Sequence, residues 1–208
     1  MTTTGPGLAA PAAAEGLRER KKAKTRHALE DAAIELFKQQ GFERTTVEQI
    51  ADACEVSPRT FFRYFASKEE VLFGDAADKL QQIVAVLERR PAGEPPLESM
   101  RAATLSLVDV YEHERDRRKV IAEIVAATPM LRAHGSERQD EWNDLAVDIL
   151  TQHRGGADAA PTFEVRLAVG AATAAVKAAI QTWLDDATTD LRALIERAFD
   201  RLAAGLSR

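Results

Sequence analysis

The stretch Thr46 to Lys68, TVEQIADACEVSPRTFFRYFASK, constrains the fold most, because three helix starts crowd into it. Thr46, followed three residues on by Gln49, has the spacing of a capping box, in which side chains satisfy orphan backbone donors reciprocally. Val47, Ile50, Ala51 and Cys54 then mark an apolar stripe at helical spacing. Ser57 is a second N-cap with Pro58 at the first helical position, where the missing N–H costs nothing and the fixed φ suits a helix. This second helix is expected to run to about Tyr64. Ser67, with Glu70 three residues later, is the third start, and Ala66-Ser67-Lys68 leaves almost no room for a loop. Helices joined this tightly form a helix-turn-helix whose second helix presents one face outward.

That face carries Ser57, Arg59, Thr60, Arg63, Tyr64 and Lys68, with no acidic residue between Ser57 and Lys68. Hydroxyl, guanidinium and ammonium donors in this arrangement suit a phosphate-lined groove. Phe61 and Phe65, four apart, are the expected inward anchors. Phe62 is left outward, where an aromatic edge can meet a thymine methyl. On the residues alone two alternatives stand: a solvated amphipathic helix, and a helical interaction module whose N-terminal domain docks a protein partner.

The same residues resemble the N-terminal domain of TetR-family transcriptional regulators. The match takes in Thr46, Val47, Ile50, Ala51, Val56, Ser57, Thr60, Phe61, Tyr64, Phe65, Ser67, Lys68 and Glu69. Cys54 departs where that family usually has Ala, Glu55 where it has the turn Gly, and Phe62 where a Tyr often sits. Loss of that hydroxyl removes any hydrogen bond the position makes to DNA. Glu55 in a left-handed turn costs on the order of 1 kcal/mol. The resemblance implies a ligand-responsive repressor that binds a palindromic operator in double-stranded DNA as a homodimer. Its expected DNA-contacting residues are Thr46, Ser57, Pro58, Arg59, Thr60, Phe62, Arg63, Tyr64 and Lys68.

The chain has 208 residues and 45% hydrophobic content, enough for a core, while aromatics are only 6% and turn clusters are scarce. An all-α chain is therefore expected, with an N-terminal three-helix DNA-binding domain and a helical ligand-binding and dimerisation domain. One cysteine excludes an intramolecular disulfide, and no apolar run reaches transmembrane length, so a cytoplasmic protein without a membrane partner is expected. The net charge of −5 argues against a nucleic-acid partner until it is resolved along the chain. Residues 1–68 hold 11 basic and 9 acidic side chains, +2, whereas residues 69–208 hold 17 and 24, −7. Residues 1–16 are small and punctuated by Gly and Pro, which predicts a disordered tail. Arg18 to Arg26 then packs six basic residues into nine. At a helix start this opposes the macrodipole unless a phosphate partner compensates, the role that the resemblance implies for such an arm; a solubilising arm is the alternative.

Residues 17–67 are read as the DNA-binding domain and 68–208 as the remainder, linked by one long fourth helix from Lys68 to about Arg90 on the spacing of Leu72, Ala76, Leu80, Ile83 and Leu87. The first helix, with Leu29, Ala33, Leu36 and Phe37 as its stripe, should end at Gly41 in Schellman style. Beyond Pro96, Met100, Leu107 and Tyr111 mark one helix and Trp142, Leu145 and Ile149 another, with breaks expected at Thr128-Pro129 and, more weakly, at Gly135-Ser136. Pro129 to Arg132 followed by Trp142 resembles a TetR subgroup with an acyl-CoA-like ligand-binding domain. Met100, Leu107, Tyr111, Trp142, Leu145 and Ile149, with Val176 and Trp183, are the expected lining for a small, apolar or acyl-CoA-like effector, since few charges share their stripes. The stripes are equally compatible with ordinary core.

The last two helices, about 162–186 and 188–205, are expected to form the homodimer interface that the resemblance implies. A small face of Ala171, Ala174 and Ala178 beside Leu167 lies opposite a bulky face of Val169, Val176, Ile180 and Trp183. No enzyme, cofactor or metal is expected. His27, His113, His134 and His153 lack ligand-spaced partners, and Gly155-Gly156 lacks the context of a phosphate loop.

Overall fold

The computed structural model describes residues 11–74, 76–155 and 162–205, and the chain divides into two compact units, Met1–Gly74 and Asp75–Arg208. The described residues contain α-helices and no strand. Unit 1 holds α1 (Pro11–Gln40), α2 (Val47–Ala53), α3 (Pro58–Phe62) and α4 (Glu70–Phe73). Unit 2 holds α5 (Ala76–Leu87), α6 (Pro96–Leu105), α7 (Val108–His113), α8 (Arg115–Ala127), α9 (Pro129–Gly155), α10 (Phe163–Asp185) and α11 (Leu191–Ala203).

In unit 1 the apolar stripe of α1, Leu29, Ala33 and Phe37, meets Ile50 and Ala51 of α2 and Phe61 and Phe65, all buried. Phe61 and Phe65 are the expected anchors: their rings lie 5.4 Å apart, and truncating a ring buried this fully costs about 3–5 kcal/mol. Gly41 ends α1 at φ 87°, its N–H bonded to Phe37 O at 3.0 Å. That single bond is the simpler left-handed cap rather than the expected Schellman pair, and Phe42 closes it by packing 5.0 Å from the Phe37 ring.

Several boundaries differ from expectation. Residues 1–10 of the expected tail lie outside the described residues, but the backbone of residues 11–16 already belongs to α1. The basic run Arg18 to Arg26 therefore sits inside a helix, beyond the first turn where the macrodipole acts, and the expected electrostatic conflict disappears. Where a single long fourth helix is expected, the described residues hold two helices assigned to different units, α4 ending at Phe73 and α5 beginning at Ala76. The expected helix through Met100 and Tyr111 is broken at Ser106, whose hydroxyl bonds Ala103 O at 2.7 Å. Gly135-Ser136 breaks nothing, because α9 is anchored by fully buried Leu131 and Ala146 on either side, which outweighs the roughly 1 kcal/mol penalty of a helical glycine.

Unit 2 is built round α10, which packs on α6, α9 and α11. Its bulky face, Val165, Val169 and Trp183, is buried with Met100 of α6, Val147 and Leu150 of α9, and Leu191, Ile195 and Phe199 of α11. No described helix is long and apolar enough to cross a membrane.

Candidate nucleic-acid interface

The turn that presents α3 is held by local caps. Thr46 Oγ1 accepts from Gln49 N at 3.3 Å and Gln49 Oε1 accepts from Thr46 N at 3.0 Å, completing the capping box of α2. At the other end of α2, Val56 N–H bonds Ala51 O and Glu55 N–H bonds Asp52 O, each at 3.0 Å. This is the full Schellman pair, and it requires a left-handed residue at Glu55, which indeed has φ 55°. Ser57 Oγ then accepts from Thr60 N at 3.2 Å and lies 3.0 Å from Thr60 Oγ1, with Pro58 in the first turn of α3. Thr46, Ser57 and Pro58 thus fix helix ends, and the hydroxyls of Thr46 and Ser57 are engaged in doing so.

With Phe61 buried beneath, the helix turns Arg59, Phe62 and Arg63 to solvent and leaves Thr60 and Tyr64 half-buried. Phe62 is 55% exposed and stands edge-on to Phe61 at 5.5 Å, so an aromatic ring is presented at the surface. The Arg63 guanidinium lies 5.1 Å from the Tyr64 ring and donates to its hydroxyl at 3.3 Å. Farther back, Lys21, Lys22 and Lys24 on α1 are exposed.

Lys68 departs from its expected role as an outward phosphate donor. Its Nζ donates to Phe42 O at 2.9 Å and Thr45 O at 3.0 Å and lies 4.3 Å from the Phe42 ring. Two of its three donors therefore brace the corner between α1 and α2, a use no local pattern discloses. Cys54 is likewise turned inward, its Sγ 3.3 Å from Ala28 O; burial, then the Asp31 carboxylate, push its thiol pKa up, which disfavours the reactive thiolate.

The expected effector lining lies in unit 2 and is divided by burial. Met100, Leu107 and Trp183 are buried; Tyr111, Trp142, Ile149 and Val176 are half-buried against the core; Leu145 is turned to solvent at 37% exposure. The expectation that few charges attend these stripes is corrected. Arg118 lies 3.6 Å and Lys79 5.3 Å from the Tyr111 ring, both paired with Glu114, and Arg115 lies 4.9 Å from the Trp183 ring. A helical stripe reports only its own helix, and these cations arrive from α5 and α8.

On α10 the expected small face is open in the single chain: Ala174 and Ala178 are exposed and Ala171 half-buried, continuing into Leu167 at 56% and Phe163 at 72% exposure. Leu191 and Ile195 of α11 are buried in the chain's own core, and the outer face of α11 carries Arg192, Arg197, Asp200 and Arg201.

Comparison with known proteins places these features. Residues 29–73 match the family of bacterial regulatory proteins described as the tetR family, and residues 94–207 match the MftR C-terminal domain. The chain is 40% identical over 196 residues to the HTH-type transcriptional regulator TcmR of Streptomyces glaucescens, spanning 90% of this chain and 86% of that protein. It is 30% identical over 191 residues to MftR of Mycobacterium tuberculosis, a candidate regulator of mycofactocin biosynthesis, spanning 91% and 94%. The structure of Thermus thermophilus FadR, a TetR-family repressor in complex with lauroyl-CoA, superposes with a TM-score of 0.57 at 25% identity, covering 88% of this chain and 95% of that one. These relatives are regulators of transcription rather than enzymes, and with matches in both halves the chain belongs to the TetR family of DNA-binding transcriptional regulators.

Proposed function

We propose that this regulator is a repressor that binds a palindromic operator as a homodimer and is released by an apolar, acyl-CoA-like effector. The observation that carries the DNA reading is the composition of α3's open face: Arg59, Phe62 and Arg63 exposed above a buried Phe61–Phe65 platform, with no carboxylate from Ser57 to Lys68. Arg59 and Thr60 serve as base readers, Phe62 as a thymine-methyl contact, and Arg63 and Tyr64 as phosphate contacts. One recognition helix per chain needs a second chain, with the two helices about 34–36 Å apart or a relaxed version of that spacing. The open stripe Phe163, Leu167, Ala174 and Ala178 supports α10 as the main dimer element, because adjacent small residues let a second helix approach closely. The effector reading rests on half-buried Trp142, Ile149 and Val176 and on the cation-flanked Tyr111, which together suit an apolar body carrying an anionic group. It is supported by the lauroyl-CoA of the Thermus relative.

The test begins with selection of duplexes from a random pool by the full chain. Arg59→Ala and Thr60→Ala are expected to relax preference at particular positions, whereas Tyr64→Ala weakens all sequences alike and flattens the salt dependence. Indistinguishable behaviour of the two groups overturns the assignment. Lauroyl-CoA is then expected to raise the melting temperature of the free protein and to loosen its DNA complex, with both effects diminished in Trp142→Ala. An apolar panel that moves neither quantity refutes the effector reading.

A further inference from the structure

Gly74 is the last residue of the DNA-reading unit, the point at which the chain leaves it. Its carbonyl accepts from Arg26 Nη2 at 2.6 Å. The same guanidinium donates through Nε to Glu30 Oε1 at 3.1 Å and lies 4.9 Å from the centroid of the Phe65 ring. Phe65 in turn packs on Phe61, the buried face of α3, at 5.4 Å. One side chain of α1 therefore touches both the last residue of the unit and the platform beneath the recognition helix.

Gly74 is fitted to that side chain. Its φ of −67° is one any residue adopts, so backbone freedom does not explain the glycine. Space does: a Cβ at this position would stand 2.5 Å from Arg26 Nη2, 2.9 Å from Glu70 O and 3.2 Å from Phe65 Cε1. Arg26 falls within a basic run that reads as a phosphate-binding arm, yet its head is turned inward onto a carbonyl, a carboxylate and a ring. The planar fork of a guanidinium serves these three partners at once, which a lysine ammonium does not match. Glu30, its side chain only 11% exposed, fixes the fork's direction.

We propose that Arg26 is a positioning residue for DNA binding, which ties the recognition helix to the exit of the unit by joining the Gly74 carbonyl to the Phe65–Phe61 platform. This rests on the DNA reading given above. Because coupling is reciprocal, ordering α3 on DNA must also steady Gly74, and disturbing Gly74 must disturb α3.

The experiment uses the full chain and duplexes that the wild type retains from a random pool, with Arg26→Met, Arg26→Lys, Gly74→Ala and, as a control, Lys24→Met. For each variant the affinity, its salt dependence, the melting temperature and the exchange rates of the Phe73 and Gly74 amides with and without DNA are measured. In wild type, DNA is expected to slow exchange at both amides. In Arg26→Met and Gly74→Ala that slowing is lost and affinity falls roughly tenfold at an unchanged salt slope, since no phosphate contact has been removed. Arg26→Lys, which keeps the charge and the fold, behaves as Arg26→Met does. Lys24→Met lowers the salt slope by about 1 and keeps the slowing. A reduced slope in Arg26→Met makes Arg26 a phosphate contact and overturns the proposal. Slowing that persists in Arg26→Lys and Gly74→Ala makes the contacts a local strut and overturns it equally. A wild type that retains no duplex removes the DNA reading itself, and that outcome is visible before any variant is made.

Discussion

Glu55 offers a direct test of how the helix-turn-helix is held, because it is the one residue other than glycine with positive φ among the described residues. It is exposed, occupies the left-handed position of the Schellman pair closing α2, and its backbone bonds to Asp52 O at 3.0 Å regardless of side chain. A left-handed conformation costs an L-residue roughly 1–2 kcal/mol, and glycine escapes that cost. Glycine also loosens the unfolded chain, which returns about 0.4–1 kcal/mol. The difference, taken at the middle of both ranges, predicts that Glu55→Gly stabilises unit 1 by about 0.8 kcal/mol, a rise of roughly 3–6 °C for a unit of this size. Amide exchange at the buried Ile50 and Phe61 reads the opening free energy of this unit within the whole chain. Glu55→Ala, which still pays the left-handed cost, should gain nothing by this route, and Glu55→Gln isolates the effect of the charge near the end of α2. A loss of protection in the glycine variant, or an alanine variant that gains as much, would refute the reasoning.

Three other outcomes follow from contacts described above. Lys68→Met should destabilise unit 1 by about 2 kcal/mol, since a charged donor to two carbonyls is lost, and unchanged amide protection at Phe42 would deny Lys68 a bracing role. Glu94 is held below the usual carboxylate range by hydrogen bonding to Arg90 and then to Ser99, so its contribution is present above the unfolded value of about 4.3 and is lost as pH falls through its lowered folded value. Glu94→Gln should therefore flatten the acid-side fall in melting temperature below about pH 5, and parallel curves for the two proteins would count against this pairing. If the homodimer proposed above forms through α10, Leu167→Glu, at an exposed site, should leave the helical content intact and shift sedimentation from dimer to monomer; a dimer that persists in the variant would move the interface off α10.

The signals legible in the sequence act within about one helical turn. Thr46 with Gln49, Ser57 with Pro58, and Ser67 with Glu70 are all found capping or opening helices, because a cap satisfies donors only three residues away. The left-handed turn at Glu55 is legible only through the resemblance, which puts the turn Gly at that position, whereas Phe61, Phe62 and Phe65 sort by spacing into buried, exposed and buried. Periodicity on α10 separated a bulky from a small face, and the bulky face is the one buried.

What the sequence left open depends on partners far along the chain. Lys68 reads as an outward cation until Phe42 and Thr45, 26 and 23 residues back, present their carbonyls to it. Arg26 reads as part of a basic arm until Gly74, 48 residues on, supplies the carbonyl that turns it inward. The apolar spacing from Leu72 to Leu87 is continuous and describes one helix, since periodicity carries no information about which unit each turn will pack against. Tyr111 and Trp183 look like members of uncharged stripes, and only the docking of α5 and α8 brings Lys79, Arg118 and Arg115 onto their rings. Local backbone donors and acceptors are satisfied within a turn and so are written in neighbouring residues, whereas a long flexible cation takes its partner from whichever surface the fold delivers.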